Sequence, residues 1–186
     1  MAARVKYDEA EIVDQLHKQA TCRAAFGRVI EHYSEQLYWH IRRLVIDHDD
    51  ANDVLQNTFL KAWTSIDNFR GDAKLSTWLY KIAINESITF VNKKKAMNQL
   101  SIDDDESFLV NQLESDEWFD GDEAQINLQK AIASLPEKQR LVFNLRYYDE
   151  MKYDEMSEIL GTSEGALKAS YHHAVKKIEQ FLGETG

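Results

Sequence analysis

Near the end of this chain two short helical patterns meet at one glycine, and few backbone arrangements satisfy both. Tyr153-Asp-Glu-Met-Ser-Glu-Ile-Leu160 carries Met156, Ile159 and Leu160 at helical spacing, and Gly161-Thr-Ser163 follows it. A helix ends well at Gly161, because glycine takes the left-handed conformation without a Cβ penalty. Ser163 is placed to accept from the exposed amide hydrogens of the next helix. That helix reads Glu164-Gly-Ala-Leu-Lys-Ala-Ser-Tyr-His-His-Ala-Val-Lys-Lys177. Leu167, Tyr171, Ala174, Val175 and Ile178 form its inner face, while Lys168, His172, His173, Lys176 and Lys177 fall largely on the other sides. This is the layout of a helix-turn-helix, whose second helix is built to lie in the major groove. Lys168, His172 and Lys176 recur every four residues on one outer face, where lysines supply phosphate contacts and polar neighbours reach base edges.

Seven glycines and a single proline leave few places for tight turns, which favours an all-α build over a sheet. Cys22 is the sole cysteine, so no internal disulfide framework exists and a reducing cytoplasm is the expected location. No apolar run follows the start, as a signal peptide would need, and no window of about 18 apolar residues could span a membrane. The net charge of −10 is wrong for a DNA binder until it is located. Residues 98–127 hold ten acids (Asp103, Asp104, Asp105, Glu106, Glu114, Asp116, Glu117, Asp120, Asp122 and Glu123) and no Lys or Arg. Two nearly neutral blocks therefore flank an acidic connector. That predicts two small helical domains, residues 1–96 and 128–186, joined by an acidic flexible linker at 97–127.

In the first block Phe26, Val29, Ile30, Tyr33, Leu37, Ile41, Leu44 and Val45 recur at spacings of three and four. After Asp47-His-Asp-Asp50 a helix runs to Trp63, with Asp49 or Asp50 as its cap and Val54, Leu55, Thr58, Phe59 and Ala62 as its apolar stripe. A loop containing Phe69-Arg-Gly-Asp72 leads into a helix with Leu75, Trp78, Leu79 and Ile82 on one face, continuing to Lys93-Lys94-Lys95. Those lysines suit either a phosphate-binding edge or a helix end that complements its dipole. Trp63, Phe69, Trp78 and Tyr80 gather near the loop. Exposed aromatics beside basic residues stack on unpaired bases, although Trp78 at this spacing also suits a core. In the connector, Leu100, Ile102, Phe108, Leu109, Val110, Leu113, Trp118 and Phe119 imply docking, whereas mutual repulsion of its acids implies an extended free chain. The second block opens near Ala124, and Pro136 falls in a first helical turn.

Signals for catalysis are poor. The histidines show no His-Glu-x-x-His, no Cys-His spacing suits zinc, and no glycine-rich phosphate loop or Gly-x-Ser-x-Gly exists, so no catalytic, metal or cofactor residue is assigned. Three classes of function remain: a promoter-specificity subunit of a polymerase, a stand-alone helix-turn-helix regulator, and a helical adaptor without DNA.

Taken together the two blocks resemble a bacterial sigma factor of the extracytoplasmic-function group, sigma-70 family. Asp50-Ala-Asn-Asp-Val-Leu-Gln-Asn-Thr-Phe-Leu-Lys-Ala-Trp63 resembles the helix that grips the β′ clamp helices of RNA polymerase. Phe69-Arg-Gly-Asp72, Thr77-Trp-Leu-Tyr-Lys-Ile-Ala83 and Asn85 resemble the promoter-melting segment. Leu135-Pro-Glu-Lys-Gln-Arg140 and Tyr153 through Lys177 resemble the reader of the minus-thirty-five element. The matches occur in the family's order over most of residues 26–182.

The resemblance implies polymerase contacts at Asp50, Asp53, Gln56, Asn57, Phe59, Leu60 and Trp63. It implies capture of the melted minus-ten strand by Asn68, Phe69, Arg70, Asp72, Lys74, Trp78, Asn85, Lys93 and Lys94. Reading of the minus-thirty-five duplex would fall to Ser163, Glu164, Lys168, Ser170, Tyr171, His172, Lys176 and Lys177. The partners implied are core RNA polymerase (β′ clamp helices and β flap), promoter DNA and an anti-sigma factor, with no membrane insertion and no chemistry of the chain's own. The connector would run through the basic RNA exit path of the polymerase, where ten carboxylates suit the field. Asn52 and Asn57 stand where the family commonly has acids, and Thr89 and Asn92 where it has an acid and a base. In the recognition helix Ala166, Ser170 and His173 replace a threonine and two arginines. Arginine is the commonest bidentate reader of guanine, so a different base preference is expected.

Overall fold

A computed structural model describes residues 6–98, 105–114 and 121–185, and every regular element among them is helical. The first domain is α1 (Glu9–Leu16), α2 (Cys22–Val45), α3 (His48–Thr64), a 3₁₀ turn at Ile66–Asn68, and α4 (Leu75–Met97). α5 (Asp105–Glu114) lies in the connector. The second domain is α6 (Glu123–Ala133), α7 (Glu137–Tyr147), α8 (Tyr153–Leu160) and α9 (Glu164–Thr185). Nearly all of the expected apolar stripes turn inward. Val29, Tyr33, Leu37 and Ile41 of α2 pack with Val54 and Ala62 of α3 and Leu75 and Leu79 of α4, each no more than 4% exposed. Burial of this kind contributes about 25 cal/mol per Å² of apolar surface, and helices this short depend on it. Ile30, read as part of the stripe, is the exception at 36% exposure.

Several details differ from the sequence reading. α1 was not anticipated, though Asp8-Glu-Ala-Glu11 followed by Ile12, Val13 and Leu16 carries a capping signature. The Asp8 carboxylate accepts from the Glu11 amide at 3.1 Å, and Ile12 and Leu16 are buried. α3 is capped by Asp47, which accepts from the Asp50 amide at 2.9 Å, so Asp49 and Asp50 sit in the first turn instead. There they face the positive end of the helix dipole. Pro136 occupies the cap of α7, one place before its first turn. α6 opens at Glu123 with Asp122 accepting from the Gln125 amide at 2.9 Å, so residues read as linker up to 127 are partly helix.

The connector also departs from an extended chain. Leu109 and Leu113 of α5 are buried against Ile46 of the first domain and Ala133 of the second. Burial of these side chains outweighs charge repulsion along this helix. Leu100, Ile102, Asp103, Asp104, Asp116, Glu117, Trp118, Phe119 and Asp120 lie outside the described residues.

In the second domain α9 packs on α6, α7 and α8. Leu167, Ala174 and Ile178 are buried on its inner face, with Met156 and Ile159 of α8. The principal apolar cluster runs on from the first domain into Leu141, Leu145, Met156 and Leu167. α2 meets α7 and α4 meets α8 along this seam.

Candidate polymerase and nucleic-acid interfaces

The outer face of α3 forms the first patch. Asp53, Gln56, Asn57 and Leu60 follow one another at spacings of three, one and three, which aligns them on one helical stripe, and all are exposed. Leu60 is 57% and Trp63 39% exposed, an unusual pair of large apolar side chains to leave in water. Trp63 is steadied from behind by Phe26, with ring centroids 5.1 Å apart. Phe59 does not belong to this face: it is 8% exposed and meets Phe26 edge-on at 6.4 Å. Its place in the family motif therefore supports the helix from inside. Asp50 is half-buried and ion-paired with Lys94 of α4.

The second patch is the loop before α4. Asn68, Arg70, Asp72 and Lys74 are exposed on it. Gly71 adopts φ 81°, a conformation that favours glycine, and it turns over Val13 of α1. α1 also caps the next helix: the Leu75 amide donates to the Glu9 carboxylate at 2.9 Å, filling a role that Lys74 at the cap position leaves open. Phe69 is 4% and Tyr80 1% exposed, so neither offers a stacking platform. Trp78 is half-buried with its ring 4.9 Å from that of Phe69, leaving it as the aromatic of the loop with a partly free face. Trp63 lies on α3, apart from that pair. Asn85 and Lys93 are exposed farther along α4, whereas Lys94 is occupied by Asp50.

The third patch is the helix-turn-helix. Gly161 has φ 63° and closes α8 through its amide to the Ser157 carbonyl at 2.9 Å. The Ser163 hydroxyl accepts from the Ala166 amide at 3.3 Å, as the sequence predicts. Glu164, Lys168, His172, His173, Lys176 and Lys177 are exposed along α9. Lys168 Nζ lies 5.5 Å above the Tyr153 ring, which holds it across the α8–α9 angle. Ser170 and Tyr171 are half-buried, and Tyr171 stacks on Phe143 at 5.7 Å with its ring nearly parallel, so much of its surface serves packing.

Two of the charged groups assigned to DNA are masked by acids of the chain itself. Lys94 meets Asp50, and Lys74 Nζ lies 2.6 Å from Glu155 of α8. The Lys74–Glu155 hydrogen bond raises the ammonium and lowers the carboxyl from their ordinary values. Lys95 is shifted the other way, downward, by burial and by the nearby Arg140 of α7.

A family model of sigma-70 region 2 matches residues 29–97, and one of sigma-70 region 4 matches residues 125–178. The chain is 30% identical over 166 residues to the ECF RNA polymerase sigma factor SigW of Bacillus subtilis, covering 85% of this chain and 89% of that protein. It is 28% identical over 168 residues to the RNA polymerase sigma-H factor of Pseudomonas aeruginosa, at 86% and 87% coverage. Its fold is similar to that of CnrH, solved in complex with the cytosolic domain of CnrY, with TM-score 0.67, 21% identity and 96% of each chain covered. It is also similar to the sigma factor RpoE of Bartonella quintana, solved in complex with the anti-sigma factor NepR, with TM-score 0.65 and 21% identity over 85% of this chain and 96% of that one.

Proposed function

This chain belongs to the extracytoplasmic-function group of the sigma-70 family, and from that premise we propose a division of labour among its three exposed patches. The chain acts with core RNA polymerase in promoter-specific initiation, and such factors are non-catalytic, so bond formation belongs to the polymerase. The α3 face, with Asp53, Gln56, Asn57, Leu60 and Trp63, grips the β′ clamp helices. The loop from Asn68 to Lys74, with Trp78 and Asn85, holds an unstacked base of the minus-ten strand. Binding energy offsets the unstacking. α9 enters the major groove of the minus-thirty-five element, with Lys168, Lys176 and Lys177 on phosphates and Ser170 and His172 toward base edges. An anti-sigma factor, the class of partner bound to the Bartonella quintana relative, regulates it. Its place of action is the cytoplasm, beside the polymerase.

The observation that carries this reading is the exposure of Leu60 and Trp63 on a helix whose other large apolar residues are mostly buried. A stand-alone repressor buries such a face only by dimerising on a two-fold site. It would also need more basic domains, since non-specific affinity comes mainly from phosphate neutralisation. The test is in vitro transcription from a genomic promoter library with core polymerase, expected to give initiation at a defined promoter set. Initiation no different from core alone, together with a defined duplex shifted by the free protein, overturns the proposal in favour of a stand-alone regulator.

A further inference from the structure

A deeply buried polar contact joins the two domains. Asp149, in the turn after α7, has a side chain only 5% exposed. His40 Nδ1 of α2, fully buried, donates to its Oδ2 at 2.7 Å. The Arg43 guanidinium at 3.5 Å and the Tyr80 hydroxyl at 3.4 Å point at its Oδ1 as longer contacts. Arg43 also lies 4.3 Å above the ring of Tyr148, beside the same turn. One carboxylate of the second domain thus faces three donors supplied by α2 and α4 of the first.

The backbone on both sides of this seam is held in unfavourable conformations. The non-glycine residues with positive φ among those described are Ile46 at 70° and Glu150 at 51°. Glu150 adjoins Asp149, in a turn fixed by the Asp149 amide on the Asn144 carbonyl at 3.2 Å and the Met151 amide on Leu145 at 3.0 Å. Ile46 centres a tight turn in which the Asp47 amide reaches the Val45 carbonyl at 2.9 Å, a rare and strained geometry for a β-branched residue. Its side chain packs on Leu109, Leu113 and Ala133 of the connector and second domain. Strain of this kind persists only where the surroundings over-determine it; around Ile46 they are the interdomain contact, and around Glu150 the hydrogen bonds of its own turn beside Asp149.

We propose that the α2–α4 face of the first domain is a docking surface for the α7–α8 turn of the second, with Asp149 as the latch of a closed, promoter-incompetent form. This rests on the proposed division of labour between the domains. Elements about 25 base pairs apart, as the labels minus-ten and minus-thirty-five imply, are separated by roughly 85 Å at about 3.4 Å per step. In the closed form Lys74 of the minus-ten loop touches Glu155 of the helix-turn-helix at 2.6 Å. The closed chain engages one element at most. The connector between α4 and α6, residues 98–122, spans roughly 85 Å at roughly 3.3–3.6 Å per residue once α5 melts, and then permits both. A polar latch suits such a device, because water satisfies Asp149, His40, Arg43 and Tyr80 once they separate.

Small-angle scattering on the full chain alone, with no polymerase or DNA, tests the latch separately from the function. A compact chain of this length has a radius of gyration near about 16 Å, and two separated domains give roughly 25 Å. The wild type is expected at the lower value and Asp149→Ala near the higher, with unchanged helical circular dichroism. A wild type already expanded, or an Asp149→Ala chain that stays compact and helical, overturns the proposal. If Asp149→Ala loses helicity, Asp149→Asn decides, since it keeps the volume and removes the charge. Expansion of a helical Asn variant sustains the latch. A compact Asn variant, or one that also unfolds, assigns Asp149 to the stability of its own domain instead. Failure of transcription with core polymerase, by contrast, leaves the scattering result untouched and overturns only the functional reading.

Discussion

Single residues decide the recognition helix. Gly161 stands at φ 63° between α8 and α9, where any Cβ meets the following carbonyl. Gly161→Ala is therefore expected to lower stability by about 1–2 kcal/mol, read as a lower denaturation midpoint with an unchanged denaturant slope. No steric neighbour lies within 4 Å of a Cβ built there, so the cost is conformational and the fold should survive. Lys168 is a different kind of residue, exposed and poised over Tyr153. Replacing it with alanine should leave the melting temperature in place and weaken binding to all minus-thirty-five duplexes alike. The slope of log affinity against log salt should fall by about 1. A variant that changes which duplex is preferred, at constant salt slope, would place Lys168 on a base edge and contradict the phosphate role.

At the scale of elements, α3 separates two jobs that the sequence writes into one motif. Leu60 and Phe59 are neighbours, yet one is 57% exposed and the other 8%. Leu60→Ala is expected to weaken binding to core polymerase by about tenfold, the effect of one interface anchor lost, and to shift stability by less than about 0.5 kcal/mol. Phe59→Ala should cost about 3 kcal/mol of stability through the cavity it leaves under Phe26. Parallel thermal melts and polymerase-binding titrations check both, and equal effects on binding at equal folded fraction would put Phe59 back on the outer face. The helix-turn-helix was legible because Gly161 and Ser163 act through local backbone chemistry, which needs no partner element. The long stripes of α2, α3 and α4 were legible for another reason: their apolar residues recur at helical spacing whichever element covers them. Phe59 had two readings, its spacing placing it in the apolar stripe and the family motif on the outer face, and its burial agrees with the spacing. Phe69 had no such periodicity, because a loop does not show which side the core lies on. α1 was missed although its cap was readable, and what makes it matter is non-local: Glu9 closes α4 from 66 residues away. The docking of the connector was legible in Leu109 and Leu113, but the helix α5 was not, because its acids argue for an extended chain and the residues that bury the two leucines, Ile46 and Ala133, lie in the two domains.

Across the whole molecule the question is which charges hold the domains together and which merely cover a binding site. Asp149 is buried and little screened, whereas the Lys74 side chain of the Lys74–Glu155 pair is 61% exposed. A pair that open to water holds weakly and fades with salt. Its consequence is therefore local: Glu155 keeps Lys74 from a nucleic-acid phosphate. Glu155→Gln should raise the affinity of the full chain for a single-stranded minus-ten oligonucleotide by about two- to threefold at low salt, and by nothing near 1 M. The pH dependence has a definite sign. Lys74 holds the Glu155 carboxyl below the ordinary carboxylate range, so the masking is fully present at and above that range. It is lost only as pH falls through the lowered value. The ratio of variant to wild-type affinity should stay constant from pH 8 to 6 and approach one only in acid below the usual carboxylate titration. Fluorescence anisotropy with a labelled oligonucleotide measures that ratio directly, since whatever else titrates on the strand or the protein affects both chains. A ratio that collapsed between pH 8 and 6 would mean that the masking depends on another group along the seam.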